Sequence, residues 1–159
     1  MRHAQRTSYQ SSLRAIGRFL DSRVYRHVML METEDGFVAR AFADGSNMSP
    51  DGIELPLDDV FRLVEGYARI RGEEAAPIKT PPLCPTGYED FFRALGYELD
   101  TLRVTGIRLL ELSAGVLVSF TALNPRGEIQ RFEMLYDKQR IGEALSRGYQ
   151  RRGVPEPQP

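Results

Sequence analysis

Four kinds of side chain are scarce or missing in this 159-residue sequence: one cysteine (Cys84), two histidines (His3 and His27), two lysines (Lys79 and Lys138) and no tryptophan. A single thiol excludes an internal disulfide and fits a reducing compartment. One cysteine and two histidines cannot build a four-ligand zinc cluster. His27 falls at a strand entrance and Cys84 between prolines. Neither has a sequence neighbour that would make it a general base or an activated nucleophile. The phosphate-loop, dinucleotide, nucleophile-elbow and HExxH signatures are all absent. No apolar run approaches the roughly 18 residues of a membrane span. The opening MRHAQRTSYQ has no apolar core of a secretion signal. The expected location is the cytoplasm.

No sign of charge dominates either. The sequence has 21 basic and 22 acidic residues, for a formal net charge of −1. Residues 1–79 carry 11 basic and 12 acidic side chains and residues 80–159 carry 10 of each, so neither half is an electrostatic attractor for polyanions. With 42% hydrophobic and 27% charged residues, wholesale disorder is excluded. A chain of this length buries roughly 70% of the surface its unfolded form exposes, enough for one full core.

What is present is a repeat. Tyr9 to Asp21, YQSSLRAIGRFLD, returns 79 residues later as Tyr88 to Asp100, YEDFFRALGYELD. At that offset Tyr9, Arg14, Ala15, Gly17, Leu20 and Asp21 match Tyr88, Arg93, Ala94, Gly96, Leu99 and Asp100. Further on, Leu30, Glu32, Gly36, Ala43 and Asp58 match Leu109, Glu111, Gly115, Ala122 and Asp137. Two copies with so long a period do not make a solenoid; they predict two related halves about a pseudo-twofold axis.

Each half reads as helix, three strands, helix. Tyr9, Leu13, Ile16 and Leu20, like Tyr88, Phe92, Leu95 and Leu99, form one helical stripe. A glycine inside a helix costs about 1 kcal/mol relative to alanine, so Gly17 and Gly96 beside that stripe predict close approach of another backbone. Asp21 and Asp100 stand at the helix C-termini, where the macrodipole disfavours negative charge; each is expected to have a tertiary or loop partner, with bonds to nearby turn amides as the plainer reading. In the first strand Val28, Leu30 and Glu32 share one face, as do Ile107, Leu109 and Glu111. The shared glycines Gly36 and Gly115 fit short hairpin turns. The second strand sets Phe37, Ala39 and Ala41, or Val116, Val118 and Phe120, on one face. The third aligns Ile53, Leu55 and Leu57 with Phe132, Met134 and Tyr136. Pro56 removes a backbone donor and predicts an edge position or an early end. Asp58 and Asp137 read as N-caps of the closing helices.

Residues 73–86, with four prolines in 14 positions, read as a stiff linker. The organisation expected is a first αβββα repeat at 1–72, a linker at 73–86, a second repeat at 87–153 and a disordered tail at 154–159. The fold class is α+β, with antiparallel sheet covered by helices.

Three functional readings follow from the chemistry present. The first is a non-catalytic binding or adaptor protein whose halves engage a protein partner or a small ligand, with a homodimer as one possible arrangement; it implies no cofactor and no metal. The second is an enzyme with a carboxylate and arginine site between the halves. It rests on Arg14, Glu32, Arg93 and Glu111, since a glutamate in line with core residues needs a partner and the covering helix carries an arginine. Ion pairs joining helix to sheet are the plainer expectation for the same four residues, and a ligand pocket is the functional one. The third is nucleic-acid binding through Arg62, Arg69, Arg71, Arg140, Arg147, Arg151 and Arg152, diluted by Asp58, Asp59, Glu65, Asp137 and Glu143. The loop at Asp44, Asn47 and Asp51 has turn composition and no calcium-loop spacing. The absence of a nucleophile and base set points away from catalysis.

Overall fold

A computed structural model describes residues 8–43, 50–69 and 87–153. The proline-rich stretch with Cys84, the loop at 44–49, the tail at 154–159, His3 and Arg71 lie outside them. The order is α1 (Tyr9–Ser22), β1 (Arg26–Thr33), β2 (Gly36–Phe42), β3 (Asp51–Pro56) and α2 (Leu57–Arg69), then α3 (Tyr88–Leu102), β4 (Thr105–Leu112), β5 (Gly115–Leu123), β6 (Ile129–Tyr136) and α4 (Lys138–Arg152). The fold is α+β. Its six strands form one antiparallel sheet in the order β3-β2-β1-β4-β5-β6. No described helix is long and apolar enough to cross a membrane.

The two hairpin systems join through β1 and β4, where Met29 opposes Leu110, Leu30 opposes Leu109 and Met31 opposes Arg108. Alternation sends Val28, Leu30, Phe37, Ala39, Ala41 and Leu55 into the core together with Ile107, Leu109, Val116, Val118, Phe120 and Tyr136. The helices lie over that face: Leu13, Ile16, Leu20, Val60, Tyr88, Phe91, Leu95, Leu99, Ile141 and Leu145 complete the same core cluster. The period-two and period-3.6 patterns of the sequence therefore meet across a single interface.

α1 and α3 lie side by side and antiparallel. A side-chain carbon added to Gly17 would stand 2.9 Å from backbone atoms of Tyr88 and Glu89, and one added to Gly96 would stand 2.6 Å from the Tyr9 carbonyl and 2.7 Å from Gln10 Cα. The backbone that the helical glycines make room for is thus the other helix. α2 packs beside α1 and over β2 and β3, and α4 beside α3 and over β6.

The third strand differs from expectation in one respect. β3 is an edge strand ending at Pro56, but Leu57 already belongs to the helix. Asp58 therefore lies in the first turn of α2 and is not its N-cap. The Leu57 amide is taken by the Asp35 carbonyl at 2.7 Å, so strand passes into helix with no capping residue between. Asp137 does cap α4, accepting from the Arg140 amide at 2.9 Å.

Candidate functional site

The core-row glutamates sit where β1 meets β4, and both are half-buried. Register shifts interrupt the β1–β2 pairing between Arg26 and Met29 and the β4–β5 pairing between Thr105 and Arg108, and the β1–β4 ladder pairs residues 29–31 with 108–110. Side chains finish it. Glu32 accepts from the Gly106 amide at 2.6 Å and from the Tyr9 hydroxyl at 2.9 Å. Glu111 accepts from the Val28 amide at 3.2 Å and from the Tyr88 hydroxyl at 2.5 Å. Each carboxylate thereby fastens the first helix of its own half to a backbone amide of the other. His27 and Gly106, with φ of +54° and +62°, mark the two irregular sites.

Arg14 and Arg93 do not complete these sites as the sequence suggested. Arg14 Nε lies 3.5 Å from Glu89 and Arg93 3.8 Å from the same carboxylate. The ion pairs expected between helix arginines and the sheet glutamates are replaced by hydroxyl and amide bonds, because a short tyrosine–glutamate bridge already spans helix and sheet. Glu111→Gln is expected to lower stability by about 1–2 kcal/mol, since it exchanges charge-assisted bonds for neutral ones. Urea unfolding of that variant, of Tyr88→Phe and of the pair should show losses that are less than additive, as for two members of one bond.

Asp21 and Asp100 correct a second expectation. Their carboxylates do not bond turn amides of their own helices, which go to the main-chain carbonyls of Asp21 and Asp100. Asp21 accepts from the Tyr88 and Glu89 amides at 2.9 and 3.1 Å, and Asp100 from the Tyr9 and Gln10 amides at 2.8 and 3.1 Å. Each aspartate, unfavourably placed at the end of its own helix, sits at the favourable N-terminus of the neighbouring antiparallel helix. Burial raises the Asp21 pKa from its ordinary 3.8 to about 6, against the lowering effect of the two amides.

The arginines of the closing helices are widely engaged. Arg147 donates twice to Glu98, at 3.1 and 2.5 Å, and Glu98 also accepts from the Tyr136 hydroxyl at 2.7 Å. Burial, reinforced by Glu98, pushes the Tyr136 hydroxyl well above its ordinary value. Arg140 donates to the Leu135 carbonyl at 3.3 Å, and Arg62 lies 3.5 Å from Asp59. Arg71 and the side chain of Arg69 lie outside the described residues. Among the described residues no group of three or more His, Cys, Asp or Glu is placed to hold a metal ion.

The remaining feature is the sheet face turned away from the helices. Register places Met29, Leu110, Leu117 and Leu135 in one row across β1, β4, β5 and β6. Met31 and Val38 flank it on β1 and β2, and Leu112 lies farther along β4. Met29, Met31, Leu110, Leu112 and Leu135 are 36–41% exposed. Charged residues border them on the same face: Arg40, Arg108 and Arg131, with Glu54 and Glu133. Arg131 donates to Ser119 at 2.8 Å. The sequence contained this row, since Met29 and Met31 alternate with the core residues of β1, but which strand lies beside which depends on the long-range β1–β4 pairing. No protein-family model, curated protein or solved structure matches the chain.

Proposed function

We propose that this is a non-catalytic binding protein that uses its helix-free sheet face to engage a polypeptide, and that the occupant this face fits is a second copy of the chain. The observation carrying the reading is the four-strand apolar row Met29, Leu110, Leu117 and Leu135. Contiguous apolar surface rimmed by polar residues is the usual mark of an interaction site. The rim carries both signs, Arg40, Arg108 and Arg131 with Glu54 and Glu133. A twofold interface places the same patch on both partners, so a rim of mixed sign is able to complement itself. Six strands at about 4.8 Å spacing and about 20–27 Å length give a face whose accessible area is on the order of 800 Å², the standard contribution of one partner to a stable complex.

The same proposal takes the two αβββα units as copies of one ancestral unit, related by a pseudo-twofold axis between Leu30 and Leu109. Supporting it, identities at offset 79 fall at reciprocal contacts: Gly17 with Gly96, Asp21 with Asp100, and Glu32 with Glu111. A sheet-to-sheet dimer would bring four such units together.

Size-exclusion chromatography with light scattering tests the assignment. The full chain is expected to run as a dimer at micromolar concentration. Leu110→Asp, which places a carboxylate in the apolar row, is expected to weaken association by about a hundredfold or more without loss of helical circular dichroism. A full chain that stays monomeric near 100 µM (an order-of-magnitude ceiling, about −5 kcal/mol of association) overturns the dimer. So does a dimer that survives the substitution.

A further inference from the structure

We propose a second site, independent of the sheet face: the cleft where α3, α4 and the first turn of α1 meet binds the phosphate group of a small organic phosphate ester. The cleft has a volume of about 390 Å³ and is lined by Gln10, Arg93, Tyr97, Gly148, Arg151 and Arg152. Three guanidinium groups border it, and one of them is almost wholly withdrawn from water. The Arg93 side chain is 9% exposed, and its Nε has no hydrogen-bond partner among the described residues. Its charge contact is a 3.8 Å approach to Glu89, a carboxylate also drawn toward Arg14 at 3.5 Å and Arg18 at 3.8 Å. A largely buried guanidinium whose charge contact is this long is favoured by a second anion beside it.

The neighbours add to the positive field. At offset 79, Gln10 is the counterpart of Glu89. Glu89 faces Arg14 and Arg18, whereas the lining residue contributed by the start of α1, Gln10, is neutral. Arg152 is held by the Gly148 carbonyl at 3.3 Å and lies 3.9 Å from Asp90, while Asp90 is also engaged by the Tyr149 hydroxyl at 3.0 Å. Arg151 stacks 3.8 Å above the Tyr97 ring, which orients its fork without using its donors. Arg14, Arg18, Arg93, Arg151 and Arg152 together outnumber Glu89 and Asp90 by three charges, an excess that suits a dianion, and planar forks match phosphate oxygens in pairs. The volume exceeds that of a bare phosphate, and the half-exposed Tyr97 ring offers a flat wall for the ester's organic part.

Calorimetric titration of the full chain at constant ionic strength, with phenyl phosphate and inorganic phosphate as probes, tests this. Phenyl phosphate is expected to bind saturably at one site per chain, and inorganic phosphate more weakly at the same site. Arg151→Gln, an exposed position, and Arg93→Gln are each expected to weaken binding about tenfold, the loss of one charge-assisted contact. Arg151→Gln keeps the test decisive should Arg93→Gln fail to fold. Absence of saturable heat from phenyl phosphate, equal binding of the two probes, or binding unchanged in Arg151→Gln would overturn the proposal.

Discussion

Gly96→Ala lowers the stability of this protein by about 2–3 kcal/mol, although the same substitution in an isolated helix would raise it by about 1 kcal/mol. The added methyl would stand 2.6 Å from the Tyr9 carbonyl and 2.7 Å from the Gln10 backbone. Backbone on both sides cannot swing away as a side chain does, so α1 and α3 must separate and loosen Leu13, Ile16, Leu95 and Leu99 beneath them. Gly17→Ala acts on the same seam at 2.9 Å and should be somewhat milder. Together the two substitutions should cost less than their sum, because helices already parted accommodate the second methyl. Gly142, inside α4 with no atom within 4 Å of an added carbon, supplies the opposite outcome: Gly142→Ala is expected to stabilise by about 0.5–1 kcal/mol. Urea midpoints for the three variants check the contrast, and a neutral Gly96→Ala would contradict the close helix contact.

Asp21→Ala should cost more than Asp100→Ala. The N-cap of α3 is Gly87, which offers no side-chain acceptor, so the first amides of the helix depend on Asp21. α1 keeps Ser8, whose hydroxyl accepts from the Ser11 amide, when Asp100 is removed. A loss of about 2–3 kcal/mol is expected for Asp21→Ala, for two amides left without an acceptor, and about half that for Asp100→Ala. Asp21 also gives a pH dependence of definite sign. Its folded pKa, about 6, lies above the ordinary 3.8, so the folded state binds a proton that the unfolded state has released between those values. Its contribution is therefore fully present below about pH 4 and is lost as pH rises through about 6. Asp21→Asn should flatten that part of the stability profile, measured by urea unfolding at intervals from pH 4 to pH 7. A slope identical to that of the parent protein would exclude Asp21 as its source.

The sequence carried most of the element boundaries because alternation in β1, β2, β4 and β5 and the stripes of α1 and α3 are unbroken. Leu30 and Leu109 read as core, and Gly17 and Gly96 as points of close approach. Partner choice was the part not legible. Asp21 was visibly misplaced for its own helix, yet only the antiparallel neighbour reveals whose amides it serves. Glu32 plainly needed a partner; arginine was the electrostatic expectation, while tyrosine and a backbone amide supply it, because pairing at an irregular strand site is decided by geometry across the β1–β4 junction. Asp58 reads as a cap from its match with Asp137, but Pro56 and Leu57 compress that corner and the helix starts two residues earlier, at Leu57. The cleft at Arg93 gave no local signal, since Gln10, Tyr97 and Arg151 come from three separate helices.

The exchanged helix caps bear on how the chain emerges during synthesis. The bonds that complete the start of α1 join residues 90 and 91 positions apart, and those that complete α3 join residues 67 and 68 apart. A nascent chain halted before residue 100 has α1 without the carboxylate that takes its Tyr9 and Gln10 amides, and β1 without the β4 strand that pairs with it. Such contacts close long loops before they repay the entropy of closure. The first half therefore waits on the second, and release of Asp100 from the ribosome is the earliest point at which the native pairing of helices is complete.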